Sequence, residues 1–210
     1  MKWRERTGAS ETVFWANMQN AYDHIIIGAG IVGLSIARAI RAHQPKAKIL
    51  IIEKECDAAQ HSSGRNSGVL HAGFYYSADS LKARFTVRGN QALKEYCRSK
   101  NIRINSSGKL VVAQNKSELA ALHELHVRGR RNGSNVAMIS TEQAEKIEPN
   151  VRTFQEALFS PDTATVDPLE VCLSLKNDLL KEGVEFKFNC RFLKRIPDGI
   201  LTTLGEFQTG

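Results

Sequence analysis

No stretch of this 210-residue chain is apolar for long enough to cross a bilayer: the longest run, Ile25 to Leu34, has ten residues, three of them Gly, about half of what a crossing helix needs. A membrane-spanning role is not expected. Four Cys, at positions 56, 97, 172 and 190, have neither CxxC spacing nor the density of a secreted scaffold, so reduced thiols in a reducing compartment are expected and a zinc site is not. Aromatic residues make up only 7% of the chain, but 42% hydrophobic and 24% charged content excludes disordered and fibrous classes and leaves an ordinary globular protein. Internal repeats and low-complexity segments are lacking.

Acidic residues are in deficit, 22 against 29 basic, for a net charge of +7. The imbalance is local. Between Lys82 and Arg103 stand seven basic residues and one acid, Glu95. This stretch reads either as a solvated helix face or as a contact for anionic lipid or an acidic substrate. With no aromatic stacking run beside it, nucleic acid is not an expected partner. Residues 1–20 carry no continuous apolar core and no cleavage site of the kind a signal peptide has. They are expected to be a tail ahead of the folded part, either disordered or the product of a start codon upstream of Met18.

Tyr22 to Ile27 reads as a short buried strand and runs directly into Gly28-Ala29-Gly30-Ile31-Val32-Gly33, after which a helix is expected to about His43. Strand, GxGxxG and helix in that order suit a dinucleotide. Gly28 allows the tight turn, Gly30 the approach of a pyrophosphate, and Gly33 close packing of helix on sheet, while the helix N-terminus presents free N–H groups. A second buried strand, Ala47 to Ile52, ends at Glu53, whose carboxylate can accept both ribose hydroxyls and would repel a 2′-phosphate. This unit alone does not separate NAD from FAD.

Downstream, residues 79–100 read as an amphipathic helix with Leu81, Phe85, Ala92, Leu93 and Tyr96 on its inner side. Lys109 to Ala113 and Val136 to Ile139 are expected strands. Helices are expected from Ser117 to Arg131, and from a capping box at Ser140 and Gln143 to Pro149. Asp167-Pro168 then opens a helix that closes at Gly183. Strands are expected at Val184 to Phe188, Asn189 to Leu193 and Ile200 to Leu204, around a Pro197-Asp198-Gly199 turn. His123 and His126 share a helix face but lack the third ligand a catalytic zinc needs, so no metal is expected. Cys56 is expected to be a small, partly buried residue rather than a redox thiol.

After Glu53 the pattern of a nicotinamide enzyme breaks, because the crossover helix and parallel strand expected there give way to a Ser- and Gly-rich ribbon, His61 to Tyr76. Such a segment offers many backbone N–H donors to a phosphate or to the polar edge of a flat ring. Gly28 to Gly33, Glu53-Lys54, Ser63-Gly64-Arg65-Asn66-Ser67-Gly68, His71-Ala72-Gly73, Tyr75-Tyr76 and Ser80-Leu81-Lys82-Ala83-Arg84 together make a recognisable set. From about Tyr22 to Gly210 the chain resembles the FAD-dependent oxidoreductases of the D-amino-acid oxidase and glycerol-3-phosphate dehydrogenase superfamily, and most closely the L-2-hydroxyglutarate oxidase or dehydrogenase group.

The resemblance implies an α/β fold, a Rossmann-like FAD-binding domain, incomplete here, with an inserted α+β substrate domain. Its implied division is a first FAD-binding part at 21–90, the first part of the substrate domain at 91–166 and a second FAD-binding part at 167–210. FAD is the implied cofactor. Gly28, Gly30, Ile31 and Gly33 would face its pyrophosphate, Glu53 with Lys54 its adenosine ribose, and Ser62, Ser63 and Arg65 the pyrophosphate and ribityl chain. Asn66, Ser67 and Gly68 would approach the isoalloxazine, and Phe192 would meet adenine through its backbone. The implied reaction is oxidation of a 2-hydroxy acid, with hydride passing to flavin N5 and oxygen or a membrane quinone as electron acceptor. His71 is the candidate proton acceptor, its other reading being a hydrogen bond that fixes the ring. Arg65 and Arg84 are candidate carboxylate partners. A cytoplasmic setting with room for peripheral contact at the inner membrane face is expected. By the same resemblance the chain corresponds to the N-terminal half of such an enzyme, so a non-catalytic dinucleotide-binding fragment, or a member acting on glycerol 3-phosphate or amino acids, stays open.

Overall fold

The computed structural model describes residues 21–209, and the expected tail at 1–20 lies outside them. The described residues form two compact units, 21–66 with 168–209, and 67–167. Among them no helix is long and apolar enough to cross a membrane.

In the first unit, β1 (Ala21–Tyr22) and β2 (His24–Ile27) lead into α1 (Ile31–His43), which is followed by β3 (Ile49–Ile52). All four β3 residues are buried, as a strand covered on both faces requires. The strand pairs in parallel with β2 on one side and with β10 (Glu185–Lys187) on the other. Register aligns the strand ends. Ile27 and Lys187 both lie opposite Ile52, so the three strands end together and their continuing loops emerge at one edge. Gly28 N donates to Ile52 O at 2.8 Å, and Glu53 N donates to Lys187 O at 2.9 Å. Helix α1 packs on β2, on β3 and on α5 (Pro168–Lys181).

The unit ends in a meander of β11 (Phe192–Ile196), β12 (Gly199–Thr202) and β13 (Gly205–Thr209), and β13 pairs in parallel with β1. Tyr22, Leu50, Ile52, Cys190, Ile200 and Phe207 form the core, with Ile25 and Phe192 packed against it. The expected strand at Asn189 to Leu193 starts late. Asn189 takes φ +52, and the N–H groups of Asn189 and Cys190 donate to Glu55 O and Glu53 O at 2.9 and 2.8 Å. Those bonds tie the chain to the loop after β3, and the ladder begins only at Phe192.

The second unit holds two three-stranded sheets. Strands β4 (Val69–Leu70) and β5 (Ile104–Asn105) flank β9 (Ala164–Val166), and β6 (Lys109–Val112) and β7 (Ala137–Ser140) flank β8 (Glu156–Ser160), all antiparallel. Three helices accompany them: α2 (Leu81–Ser99), α3 (Lys116–Arg131) and α4 (Thr141–Ile147). Asn115 caps α3, and α4 opens with the expected capping box between Ser140 and Gln143. Ala72, Phe74, Ala113, Leu122, Val136 and Leu158 form the core. Compactness groups residues 67–90 with this unit rather than with 21–66, because β4 pairs with β9 and Asn90 on α2 donates to the carbonyls of Leu70 and Asp162 at 2.8 and 3.1 Å.

Helix α2 buries only part of the side its apolar residues mark: Tyr96 is buried and Leu93 half-buried as expected, but the N-terminal part turns otherwise. Leu81 and Phe85 are 62% and 65% exposed, and Ala92 is exposed as well, while Ala83, Asn90 and Cys97 are buried at seven-residue spacing. At about 100° per residue these two sets lie on opposite sides. The inner face is chosen by fit, because Ala83 allows close approach and the Asn90 amide has carbonyls to reach.

Candidate functional site

The edge where β2, β3 and β10 end is built by Gly28 to Gly33 and Glu53. Gly28 takes φ +102, a conformation L side chains rarely adopt, and a Cβ on Gly33 would lie 2.0 Å from Gly28 O. Glycine is therefore required at both positions for the bend to lie against the first turn of α1. Gly30 is the N-cap of α1 and offers no side-chain cap, and the first turn carries no acid. The positive pole of a 13-residue helix is thus left without a negative group of its own. Ile31 N donates to Ser63 Oγ at 3.0 Å, which sets the start of the Ser-rich ribbon over the helix terminus.

The Glu53 carboxylate faces the bend. Its Oε2 accepts from Ala29 N at 2.9 Å and its Oε1 from Glu55 N at 3.0 Å, so the side chain is oriented by backbone on both sides. Beside it, Glu55 receives His61 Nε2 at 2.8 Å and Lys54 Nζ at 3.4 Å, and chiefly the His61 bond holds its pKa below the ordinary carboxylate value. Lys54 and Cys56 are both exposed. For Cys56 that corrects the expectation of partial burial: its neighbours Glu53 and Asp57 take the inward positions of this turn, and Cys56 is left facing solvent. Asp57 accepts from Lys176 Nζ at 2.7 Å. Burial alone would raise the Asp57 pKa, but the hydrogen bonds from Lys176 and Ala58 N, with the Lys176 charge, outweigh it and hold the value down.

Along the ribbon, Asn66 Nδ2 donates to the carbonyls of Ser62 and Ser63 at 3.0 and 3.1 Å, closing the turn that carries Arg65. Ser62, Arg65 and Asn66 are exposed and Ser63 is half-buried. Phe192 is half-buried against the core. Glycines at 28, 30 and 33, Ile31, Glu53 and Ser63 are thus brought together at one edge of the first unit. Ser67, Gly68 and His71 belong to the second unit, where Gly68 O accepts from Val166 N at 3.0 Å. His71 lies at the surface, and partial burial first, then the charges of Lys109 and Lys82, hold its pKa below the ordinary histidine value. His123 pairs with Glu156 at 2.9 Å.

Sequence reasoning missed the Lys176 partner of Asp57 and the donors that hold residues 70–76: Asn90, Ser134 and Asn132. One signal was available for Asn90, a lone amide in a seven-residue series with Ala83 and Cys97.

The profile of one family, described as FAD dependent oxidoreductase, matches residues 23–209. This chain belongs to that family. A mitochondrial L-2-hydroxyglutarate dehydrogenase of Dictyostelium discoideum is 38% identical over 182 residues, 82% of this chain and 41% of that protein. The corresponding human protein is 41% identical over 165 residues, 78% of this chain and 35% of its own length. An Escherichia coli K12 protein of that name, without the mitochondrial label, is 36% identical over 168 residues, 80% of this chain and 40% of the relative. The chain therefore spans about two fifths of the length of these curated relatives. Among solved structures, the FAD-bound L-α-glycerophosphate oxidase of Mycoplasma pneumoniae superimposes with a TM-score of 0.74 at 27% identity, over 87% of this chain and 49% of that one. Glycine oxidase of Geobacillus kaustophilus gives 0.78 at 20% identity, over 90% and 54%, which speaks for the α/β fold alone. As a member of the FAD dependent oxidoreductase family, the chain has the expected fold class.

Proposed function

We propose that this FAD dependent oxidoreductase binds FAD through its first unit and serves the oxidation of a 2-hydroxy acid, L-2-hydroxyglutarate to 2-oxoglutarate. The observation that carries the cofactor reading is the Glu53 carboxylate bonded to Ala29 N at 2.9 Å beside a helix N-terminus where Gly30 brings no side chain of its own and Ser63 Oγ accepts from Ile31 N at 3.0 Å. That cradle fits a dinucleotide by its shape and donor set. The α1 terminus with Gly28, Gly30, Ile31 and Gly33 takes the pyrophosphate. Glu53 takes the adenosine ribose with Lys54 beside it, and Phe192 meets adenine through its backbone. Ser62, Ser63, Arg65 and Asn66 hold the remainder of the cofactor on the first unit.

When bound, the flavin supplies a two-electron acceptor for the hydride of the substrate α-carbon. His71 accepts the hydroxyl proton at one ring nitrogen. Its lowered pKa keeps the imidazole neutral near pH 7, the state a proton acceptor needs. The substrate assignment is supported by the relatives' names at 36–41% identity, and, since the chain spans about two fifths of their length, the activity is proposed for a protein of the relatives' length. Oxygen or a membrane quinone would then receive the electrons, in a cytoplasmic setting or at the inner membrane face. The test is a dye-reduction panel on a form extended to the relatives' length. L-2-Hydroxyglutarate should be turned over in preference to glycerol 3-phosphate and amino acids, and indifference to it would overturn the substrate.

A further inference from the structure

Beyond the end of β4 at Leu70, the ribbon of residues 71–76 is held by side chains rather than by a ladder. Asn90 Nδ2 donates to the carbonyls of Leu70, His71 and Asp162 at 2.8, 3.3 and 3.1 Å, and Ser134 Oγ donates to Ala72 O at 2.6 Å. Asn132 Nδ2 reaches Gly73 O and Tyr76 O at 3.1 and 2.9 Å, and Arg128 Nη1 reaches Tyr75 O at 3.3 Å. Asn90 and Ser134 are themselves buried. Backbone carbonyls fastened in this way keep the side chains of His71, Tyr75 and Tyr76 in fixed directions.

Two ammonium groups meet this ribbon. Lys82 Nζ lies 4.5 Å from the centre of the Tyr76 ring, and Lys109 Nζ lies 4.9 Å from that of Tyr75, whose ring is tilted by 33° against Phe74 with centroids 4.2 Å apart. The two lysines come from different elements, α2 and β6. Both are near enough to act on His71, and among the described residues neither has a carboxylate within ion-pair distance. Aromatic faces can orient a cation without neutralising it. Two oriented, uncompensated cations beside an imidazole are suited to an anion with more than one negative group.

We infer that Lys82 and Lys109 form the carboxylate-recognition pair of the His71 ribbon and select a 2-hydroxy dicarboxylic acid over a monocarboxylic one. The inference rests on the proposed function for its substrate class and deepens it by naming specificity residues. Arg84, the sequence's other candidate on α2, is exposed as Lys82 is, but has no aromatic face to orient it among the described contacts.

The test follows the His71 ring by NMR in the 210-residue chain, with His71→Gln to assign its signal. Addition of L-2-hydroxyglutarate should saturate and raise the His71 pKa, because the arriving carboxylates offset the two cations. Lys82→Met and Lys109→Met should each weaken that binding about tenfold, the scale of one charge-assisted contact. Lys→Arg at either position should keep affinity within about threefold, since charge is retained. FAD affinity should be the same in all four variants. Equal saturation in both Met variants, or no response of His71 to L-2-hydroxyglutarate or any other probe, would overturn the pair. Glycerol 3-phosphate or L-lactate bound more tightly than L-2-hydroxyglutarate, with the same lysine dependence, would uphold an anion pair but overturn its selectivity and the proposed substrate.

Discussion

Replacing Glu53 with Ala removes the acceptor of two backbone N–H groups, Ala29 at 2.9 Å and Glu55 at 3.0 Å. A hydrogen bond to a charged acceptor contributes roughly 1.5–3 kcal/mol, and a buried donor left without a partner costs about 1–3 kcal/mol. Ala29 is 0% exposed, so water does not easily replace the carboxylate there, whereas the N–H of half-buried Glu55 can be rehydrated. The net loss comes to about 2–3 kcal/mol. For a chain of this size it lowers the melting temperature by about 4–12 °C. Glu53→Gln keeps one acceptor, for Ala29 N, and gives up the charge and the acceptor of Glu55 N, so it should fall between wild type and Ala. Thermal unfolding by circular dichroism reads the stability, and FAD titration by fluorescence reads the ligand, whose affinity should drop about tenfold or more in the Ala variant with the ribose contact gone. A Glu53→Ala chain that melts within about 1 °C of wild type and binds FAD equally well would refute the role given to this carboxylate.

Gly33→Ala places a methyl group 2.0 Å from Gly28 O, so α1 must shift away from the bend; a loss of about 1–3 kcal/mol in urea unfolding is expected, with FAD binding abolished, and an unchanged affinity would contradict the close approach. Asn90→Leu leaves the carbonyls of Leu70, His71 and Asp162 without their donor and should cost about 2–3 kcal/mol in the same assay. A loss below about 0.5 kcal/mol would show that the ribbon does not depend on it. Asp57 has a pKa depressed in the folded state, so its contribution is complete above the unfolded value of about 4 and is lost as pH falls through the folded one. Lys176→Met removes the partner at 2.7 Å and should flatten that acid-side fall in the urea midpoint; an identical pH profile would remove the pair from the stability of the first unit.

What the sequence made legible is the part where pattern and cause coincide. After the glycine motif, β3 is read easily because it is short, apolar and buried. Before it, the expected single buried strand splits at Asp23 into β1, paired with β13, and β2, half-buried with Ile27 exposed. The distance from Gly33 to Glu53 is set by one helix and one strand. The capping box at Ser140 is legible for the same reason, since a local hydrogen bond leaves a local signature. Helix α2 is the opposite case: its apolar periodicity points through Leu81 and Phe85, yet the inner face is fixed by Asn90, whose partners at residues 70, 71 and 162 are distant in sequence. The start of β11 is hidden because Asn189 and Cys190 answer to Glu55 and Glu53 across the fold. Residues 205–209 carry too few apolar side chains to declare the strand that pairing with β1 and β12 makes of them. At the candidate site, the glycines and Glu53 could be named from spacing. Lys109 and Lys176 could not, because their meaning depends on an aromatic ring or a carboxylate brought near by folding.

The central claim, that the glycine bend and Glu53 form an adenosine-diphosphate cradle, is tested most directly by calorimetric titration of the 210-residue chain with FAD and with ADP. The expected result is one site for each, mutual competition, and loss of both in Gly33→Ala. A wild-type chain that binds neither, or a Gly33→Ala chain that binds both as well as wild type, would contradict it.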